Sequence, residues 1–291
     1  MSHIKFVTDS AADIPRDSRE QLGIQVLPFP IAMGVKEYQD GFDFTPDEFY
    51  EMLLAAPKIP THAQLTPFVF YQCYEAAYRE GATDLIYTSI NSKGSATYQN
   101  ALQARDEFYE EYPDTTNTFR IHIIDSHNYT LSYGWAVMEG AKMAQAGSSV
   151  EEILSFMQHW IDHVRVIFAP LDLRFAKKSG RVSAAAAFVG DALGLKPIMT
   201  FENGDSKILN KVRGEKNVIP TLLSLCENSR QKGTPYFVIR GQNQELAHKM
   251  EEACAQTLGE HSTMTYPIGG VIAINAGPNI IGLVYLEKSS S

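Results

Sequence analysis

The stretch Asp84-Leu-Ile-Tyr-Thr-Ser-Ile-Asn-Ser92 decides the reading of the first half of this chain. An apolar run of strand length breaks into small polar residues, and a helix is predicted from Ser95 to Tyr112. The same unit occurs on either side of it. Ile4-Lys-Phe-Val7 runs into Thr8-Asp9-Ser10 and a short helix that stops at Gly23. Phe119–Ile124 runs into Asp125-Ser126, with a helix predicted over Tyr129–Ala146. Strand, polar loop and helix in repetition argue for parallel crossover units. Between them, Ile24 to Met33 is extended but interrupted by Pro28 and Pro30, which suits an edge rather than a central strand. Thr45-Pro-Asp-Glu48 carries an N-cap, an N1 proline and an N3 glutamate, the marks of a helix start. Thr66-Pro67 opens another helix, which stops near Gly81; its aromatic start, Phe68-Val-Phe70-Tyr71, reads as core.

A helix around Ser149–His163 leads into the strand Val164–Phe168, and the texture then changes. Ile198–Phe201 and Ile208–Val212 flank Glu202-Asn-Gly-Asp205, a hairpin signal. Two helices bracket a strand at Tyr236–Arg240, and Gly270 to Tyr285 reads as two apolar strands around Asn275-Ala-Gly-Pro-Asn279. The expected fold class is therefore α/β in two domains: an N-terminal parallel-sheet, Rossmann-like domain (1–165) and a C-terminal α/β domain with a mainly antiparallel or mixed sheet (166–291). With no low-complexity linker, the two are expected to share a substantial interface.

Composition narrows the function. The chain has 291 residues, 44% hydrophobic and 20% charged, which excludes collagen-like, disordered and disulfide-scaffold classes. A net charge of −9 repels a phosphate backbone, so nucleic acid is not an expected partner. Cys73, Cys226 and Cys254 lack metal-ligand spacing and read as buried small hydrophobes in a reducing compartment. A strand pattern starting at Ile4 leaves no room for a signal peptide, and no apolar run has the length of a membrane span. The expectation is a cytoplasmic protein.

Three polar clusters follow the strands of the first half: Thr8-Asp9-Ser10, Thr88-Ser89-Ile90-Asn91-Ser92 and Asp125-Ser126. At the carboxyl edge of a parallel sheet such hydroxyls either receive an anion or simply cap the helices that follow. The residues alone leave both readings open. Glycine-rich nucleotide loops and the Gly-x-Ser-x-Gly elbow are missing. His159 and His163, four apart on a helix, have no third ligand nearby and read as a solvated face, so no metal is expected. His122 and His127 receive no role.

At these same clusters the chain resembles the DegV family of bacterial fatty-acid-binding proteins. Phe6-Val-Thr-Asp-Ser10 with Asp13 is similar to the family's opening signature. Pro60-Thr-His-Ala-Gln-Leu-Thr66 resembles its Thr-Ser-Gln-Pro-Ser loop, and Ser92-Lys-Gly-Ser-Ala-Thr-Tyr98 its Ser-x-Leu-Ser-Gly-Thr-Tyr segment. Ile124-Asp-Ser126, Ser179-Gly-Arg-Val182, Leu195-Lys-Pro-Ile198 and Asn275-Ala-Gly-Pro278 follow in the family's order. The chain departs from the pattern at His62, where threonine is usual and Thr61 stands one residue early. It departs again at Asn275, where many members have histidine, at Ser179 for glycine and at Gly94 for leucine.

The resemblance implies a DegV-type fold that holds one long-chain fatty acid in a buried tunnel, as ligand and without a cofactor. It implies a carrier rather than an enzyme, without its own nucleotide site, presenting the carboxylate to a separate ATP-dependent fatty acid kinase subunit. Acyl phosphate for phospholipid synthesis would result, with transient membrane contact. By the same resemblance Thr61, His62, Ser92 and Asn275 surround the head group. Asp9, Ser10, Ser95, Thr97, Asp125 and Ser126 form a supporting cluster at the sheet edge, and Arg181 and Arg213 engage the kinase. The competing class is an enzyme acting on a small carboxylated or phosphorylated metabolite, and a structural or regulatory interaction protein is a third. A lipid needs a long apolar tunnel, a metabolite enzyme a compact polar pocket with a placed base.

Overall fold

The structure is a computed structural model and describes residues 3–188 and 194–288. The chain begins with β1 (Ile4–Asp9), α1 (Arg16–Leu22), β2 (Gln25–Leu27), β3 (Pro30–Met33), β4 (Lys36–Gln39) and α2 (Pro46–Ala55). It continues through β5 (Thr61–His62), α3 (Pro67–Arg79), β6 (Asp84–Ser89), α4 (Thr97–Glu111) and β7 (Arg120–Asp125). Two further helices, α5 (Leu131–Gln145) and α6 (Val150–His163), complete this half. The first sheet is all parallel in the order β2-β1-β6-β7. Its register sets Thr8 beside Thr88 and Ser89 beside Asp125, so the three polar clusters emerge at one edge. The extended run with two prolines divides as its composition requires: β2 is an edge strand, and β3 leaves to form a small antiparallel sheet with β4 and β5. The helix start at Thr45 is a full capping box with Glu48, and Ser149 with Glu152 makes another.

The second half holds β8 (Val164–Pro170), α7 (Leu173–Ser179), α8 (Ser183–Ala186), β9 (Leu195–Glu202) and β10 (Asp205–Arg213). Then come α9 (Val218–Ser229), β11 (Tyr236–Arg240), α10 (Gln244–Leu258), β12 (Met264–Pro267), α11 (Gly270–Ala276) and β13 (Ile280–Leu286). The six strands form one mixed sheet, β10-β9-β8-β13-β11-β12, antiparallel except for the β11–β12 pair. The β9–β10 hairpin turns on Asn203 and Gly204, both at positive φ, as a two-residue turn demands.

One expected element is corrected. Gly270–Ala276 is not a strand but the helix α11. All of its residues except Asn275 are buried, so no polar face marks the helical period, and the segment reads as a plain apolar run. Its first turn is tied by side chains of the other half: the Asp13 carboxylate accepts from Gly269 N at 2.9 Å and Asp40 from Gly270 N at 3.0 Å. Phe68, expected in the core, is exposed on α3, whereas Phe70 is fully buried.

Alternation along the second sheet divides its two faces. Val166 and Phe168 of β8, Phe237 and Ile239 of β11, and Ile280 and Val284 of β13 turn toward the first half and join its core. Ile167, Val238 and Leu283 turn away, under α9 and α10. The core is therefore continuous across residue 165. Polar contacts reinforce it: Arg240 grips Asp47 through two hydrogen bonds of 2.7 and 2.9 Å, and Tyr50 OH donates to Ile268 O.

Candidate functional site

The face of the second sheet that turns toward the first half is not filled throughout. Val166, Phe168, Ile239 and Ile280 form one wall of a narrow crevice, with Val271 and Ala276 of α11 opposite. Its cavity volume is only about 50 Å3, so its walls lie close together. Nearly every lining atom is apolar, and the polar groups gather around His62, Asn275, Ser95, Tyr129, Thr130 and Arg181.

Two of these touch although 213 residues apart. The two-residue strand β5 pairs His62 with Ile31, and α11 brings Asn275 against it. Asn275 Nδ2 donates to Val271 O at 2.7 Å, which fixes the orientation of the amide. The same nitrogen therefore also donates to His62 Nε2, at 2.9 Å, and the imidazole proton sits on Nδ1. His62 Nδ1 is buried and has no partner. Burial, then the Arg181 charge, push the His62 pKa below its ordinary value, and the N–H that Asn275 donates to Nε2 favours the same neutral form. The result is a neutral imidazole whose N–H lacks an acceptor, an arrangement that is costly until an acceptor arrives.

Arg181 follows Gly180, whose φ of +72° ends α7 and turns the chain outward. Its Nη1 donates to Ser179 O at 2.9 Å, and among the described residues no carboxylate pairs with it. It lines the crevice and two adjoining surface hollows, so its charge stands at the mouth.

The other anticipated residues are placed differently. Thr61, on the opposite side of β5 from His62, is exposed and lines an outer hollow. Ser92 does not line the crevice; its N–H donates to Asp125 Oδ1 at 3.1 Å, and the wall takes Gly94 and Ser95 from this loop instead. The supporting cluster is occupied by the fold. Asp9 accepts from Tyr133 OH, Ile90 N and Tyr87 OH at 2.6, 2.8 and 3.0 Å; burial raises its pKa to about 6. Ser10 donates to Asp40, Ser95 pairs with Thr97, Asp125 also receives His127 N, and Ser126 closes a turn with Asn128. These groups are engaged within the loops, and none of them caps a following helix: α4, with Ala96 at its N-cap, and α5, with Thr130, start without a side-chain cap hydrogen bond. Arg213 ends β10, remote from the Ser206 end that meets α8, and lines no part of the crevice. The three cysteines are buried and unbridged, and among the described residues no group of three His, Cys, Asp or Glu could hold a metal.

A family model, that of the uncharacterised DegV family, matches residues 3–288. The chain belongs to the DegV family. A DegV domain-containing protein of Caldanaerobacter subterraneus is 34% identical over 294 residues, 99% of this chain and all of the relative. Among solved structures, a DegV family protein from Thermus thermophilus described for its fatty acid binding superposes with a TM-score of 0.84, at 26% identity, over 98% of this chain and all of the other. DegV of Bacillus subtilis, described as a fatty acid binding protein, gives 0.83 at 26% identity, over 99% and 100%. The two-domain α/β architecture of this DegV chain is that of these structures. No helix of the described residues is long and apolar enough to cross a membrane.

Sequence reasoning missed Thr130. It sits at φ 57°, ψ −148°, an unfavourable conformation for a β-branched residue, with its hydroxyl buried and unpartnered in the crevice wall. Nothing in a threonine before a helix signals this. Tyr129, whose ring packs on Phe201 with centroids 4.5 Å apart, was likewise seen only as a helix start.

Proposed function

We propose that this DegV chain binds one long-chain fatty acid, its tail in the crevice between the sheets and its carboxylate at His62, Asn275 and Arg181. One observation carries the reading: a nearly wholly apolar crevice ends in a buried, unpartnered imidazole N–H beside a cation. An apolar tail and an anionic head are the complement of that lining, and a compact polar reaction pocket is not. The fatty acid binding described for the Thermus and Bacillus relatives supports it. Each methylene buried contributes about 0.8 kcal/mol, so a C16 tail gains roughly 10 kcal/mol before ordering costs.

The finer reading is that the chain is a carrier, with domains meeting near residue 165, that presents the carboxylate to a separate kinase subunit. A carboxylate oxygen would attack the terminal phosphorus of ATP there, releasing ADP and leaving the acyl phosphate. The position of Arg181 at the mouth and the exposed Arg213 support it. The test is to incubate the palmitate-loaded chain with ATP and a cognate kinase subunit, and to trap the acyl phosphate with hydroxylamine. Arg213→Ala is expected to retain palmitate but to lower hydroxamate yield, whereas Arg181→Ala lowers both. Palmitate binding without any hydroxamate would remove the kinase role and leave the binding role standing.

A further inference from the structure

A polar hollow of about 320 Å3 opens at the first turn of α11 and shares no lining residue with the crevice. Its volume is within the range of small-molecule sites. Asp13 and Asp40 line it at the start of α11, and Arg16 and Arg19 line it from α1.

The two carboxylates are crowded. Asp40 is satisfied on both oxygens, accepting from Ser10 Oγ at 2.8 Å and from Gly270 N at 3.0 Å. Asp13 accepts from Gly269 N through Oδ1. Its Oδ2 has no partner, in a residue only 6% exposed, and Thr130 Oγ1, which lies near this carboxylate, closes no hydrogen bond with it. Burial, and then repulsion from Asp40, push the Asp13 pKa well above its ordinary value. A cationic donor would supply the missing hydrogen bond and relieve the repulsion together.

The arginines are crowded with the opposite sign. They stand three residues apart on α1, and repulsion from Arg16 adds to burial in lowering the Arg19 pKa. Arg16 Nε is engaged by Glu20 at 2.8 Å. Arg19 lies over the Phe42 ring at 4.2 Å and donates to Gly41 O at 3.1 Å, and among the described residues no carboxylate pairs with it. The other carboxylates of the hollow are held elsewhere: Asp43 accepts from Gln39 N and Glu48 from Thr45 N, both at 2.7 Å. Tyr266 links the two sides, since burial keeps its phenol protonated and both Asp13 and Arg19 act on it. Ile14, Val26 and Phe44 add an apolar surface.

A lone cation would be opposed by the arginines, and a lone anion by the carboxylates. A molecule with both charges meets each pair with its opposite. We propose that the hollow binds a free α-amino acid with an apolar side chain. Its ammonium lies at Asp13 and Asp40, its carboxylate at Arg16 and Arg19, and its side chain against Ile14, Val26 and Phe44. The proposal does not depend on the fatty acid reading.

The full chain is titrated with radiolabelled L-leucine, which 3-methylbutylamine (leucine without its carboxylate) and 4-methylpentanoate (leucine without its ammonium) are then used to displace. Reading displacement keeps any occupancy of the crevice out of the measurement. Leucine is expected to bind at least about tenfold more tightly than either fragment, the scale of one charge-assisted hydrogen bond. Arg19→Gln, in a helix with no buried residue, leaves the fold intact and is expected to weaken leucine by about five- to tenfold without weakening the amine. Asp13→Asn is expected to weaken leucine and the amine together; if loss of this anchor of α11 unfolds the chain, Arg19→Gln decides alone. The proposal is overturned if leucine does not bind, if either fragment competes as well as leucine itself, or if Arg19→Gln binds leucine at parental affinity.

Discussion

A neutral imidazole that meets a carboxylate gains a reason to hold a proton. In the free chain, burial and Arg181 keep the His62 pKa below its ordinary value; a bound carboxylate accepting from Nδ1 opposes both and raises it. Binding then takes up a proton, so affinity strengthens as pH falls through the raised, ligand-bound pKa and levels off below the free one. Measured by titration from about pH 8 to about pH 6, palmitate affinity is expected to rise in the parent and to stay flat in His62→Thr. Identical curves would make His62 a bystander. Asn275→His in the threonine background is expected to restore part of the slope, because the two side chains face the same space. Asp40 links stability to pH with the same sign. Its folded-state pKa is raised from 3.8 to about 6, chiefly by burial, so the folded state holds that proton more tightly than the unfolded chain. The associated stability is present in full below about pH 4 and lost as pH rises towards 6, at most about 3 kcal/mol for such a shift. Asp40→Asn keeps the shape and has no such proton. Its melting temperature relative to the parent is expected to climb between about pH 4.5 and 7; a constant difference would count against the assignment.

At the scale of elements, the short helix α11 joins the fold to the site. It carries Asn275 and three apolar wall residues, and its first turn depends on Asp13 and Asp40. A Cβ on Gly270 would lie 2.7 Å from Asp40 Oδ1 and 3.2 Å from Ile31 and Phe44, so Gly270→Ala must displace the helix or its anchor. An overpacking cost of about 1–3 kcal/mol is expected in denaturant unfolding, together with weakened palmitate binding. Binding at parental affinity would show that the position of α11 does not govern the site. The same helix marks where the sequence stops being legible. Crossover units, the proline-broken run, the capping box at Thr45 and the β9–β10 hairpin follow from local chemistry, and the structure reproduces them. Seven residues, six of them buried, have no period to read, and carboxylates more than 200 residues away decide their conformation. The site divides in the same way. His62 and Asn275 were visible as departures from a motif, and their contact places them on one surface. Ser92 and Thr61 were assigned from a motif; Ser92 does not line the crevice, whereas Thr61 lines an outer hollow together with His62, Asn275 and Arg181. The strained Thr130 left no local trace.

Over the whole molecule, the crevice lies where a sheet buried on both faces meets the loops of a parallel sheet whose acidic side chains are hydrogen-bonded within the fold. Asp9, Ser10, Asp125 and Ser126 satisfy backbone and side-chain donors at the junction, which leaves the unpartnered polarity of His62 and the charge of Arg181 concentrated at one end. Filling the space should separate binding from folding. Ala276→Phe projects a ring into the crevice and is expected to melt within a few degrees of the parent if the space relaxes around it, yet to carry no lipid. The most direct measurement is organic extraction of the purified, gel-filtered protein followed by mass spectrometry of the extract, with Ala276→Phe processed alongside. The expected result is close to one equivalent of long-chain fatty acid per parent chain and none from the folded variant. A parent chain that yields no fatty acid from a lipid-replete host and takes up none when palmitate is added would contradict the central claim.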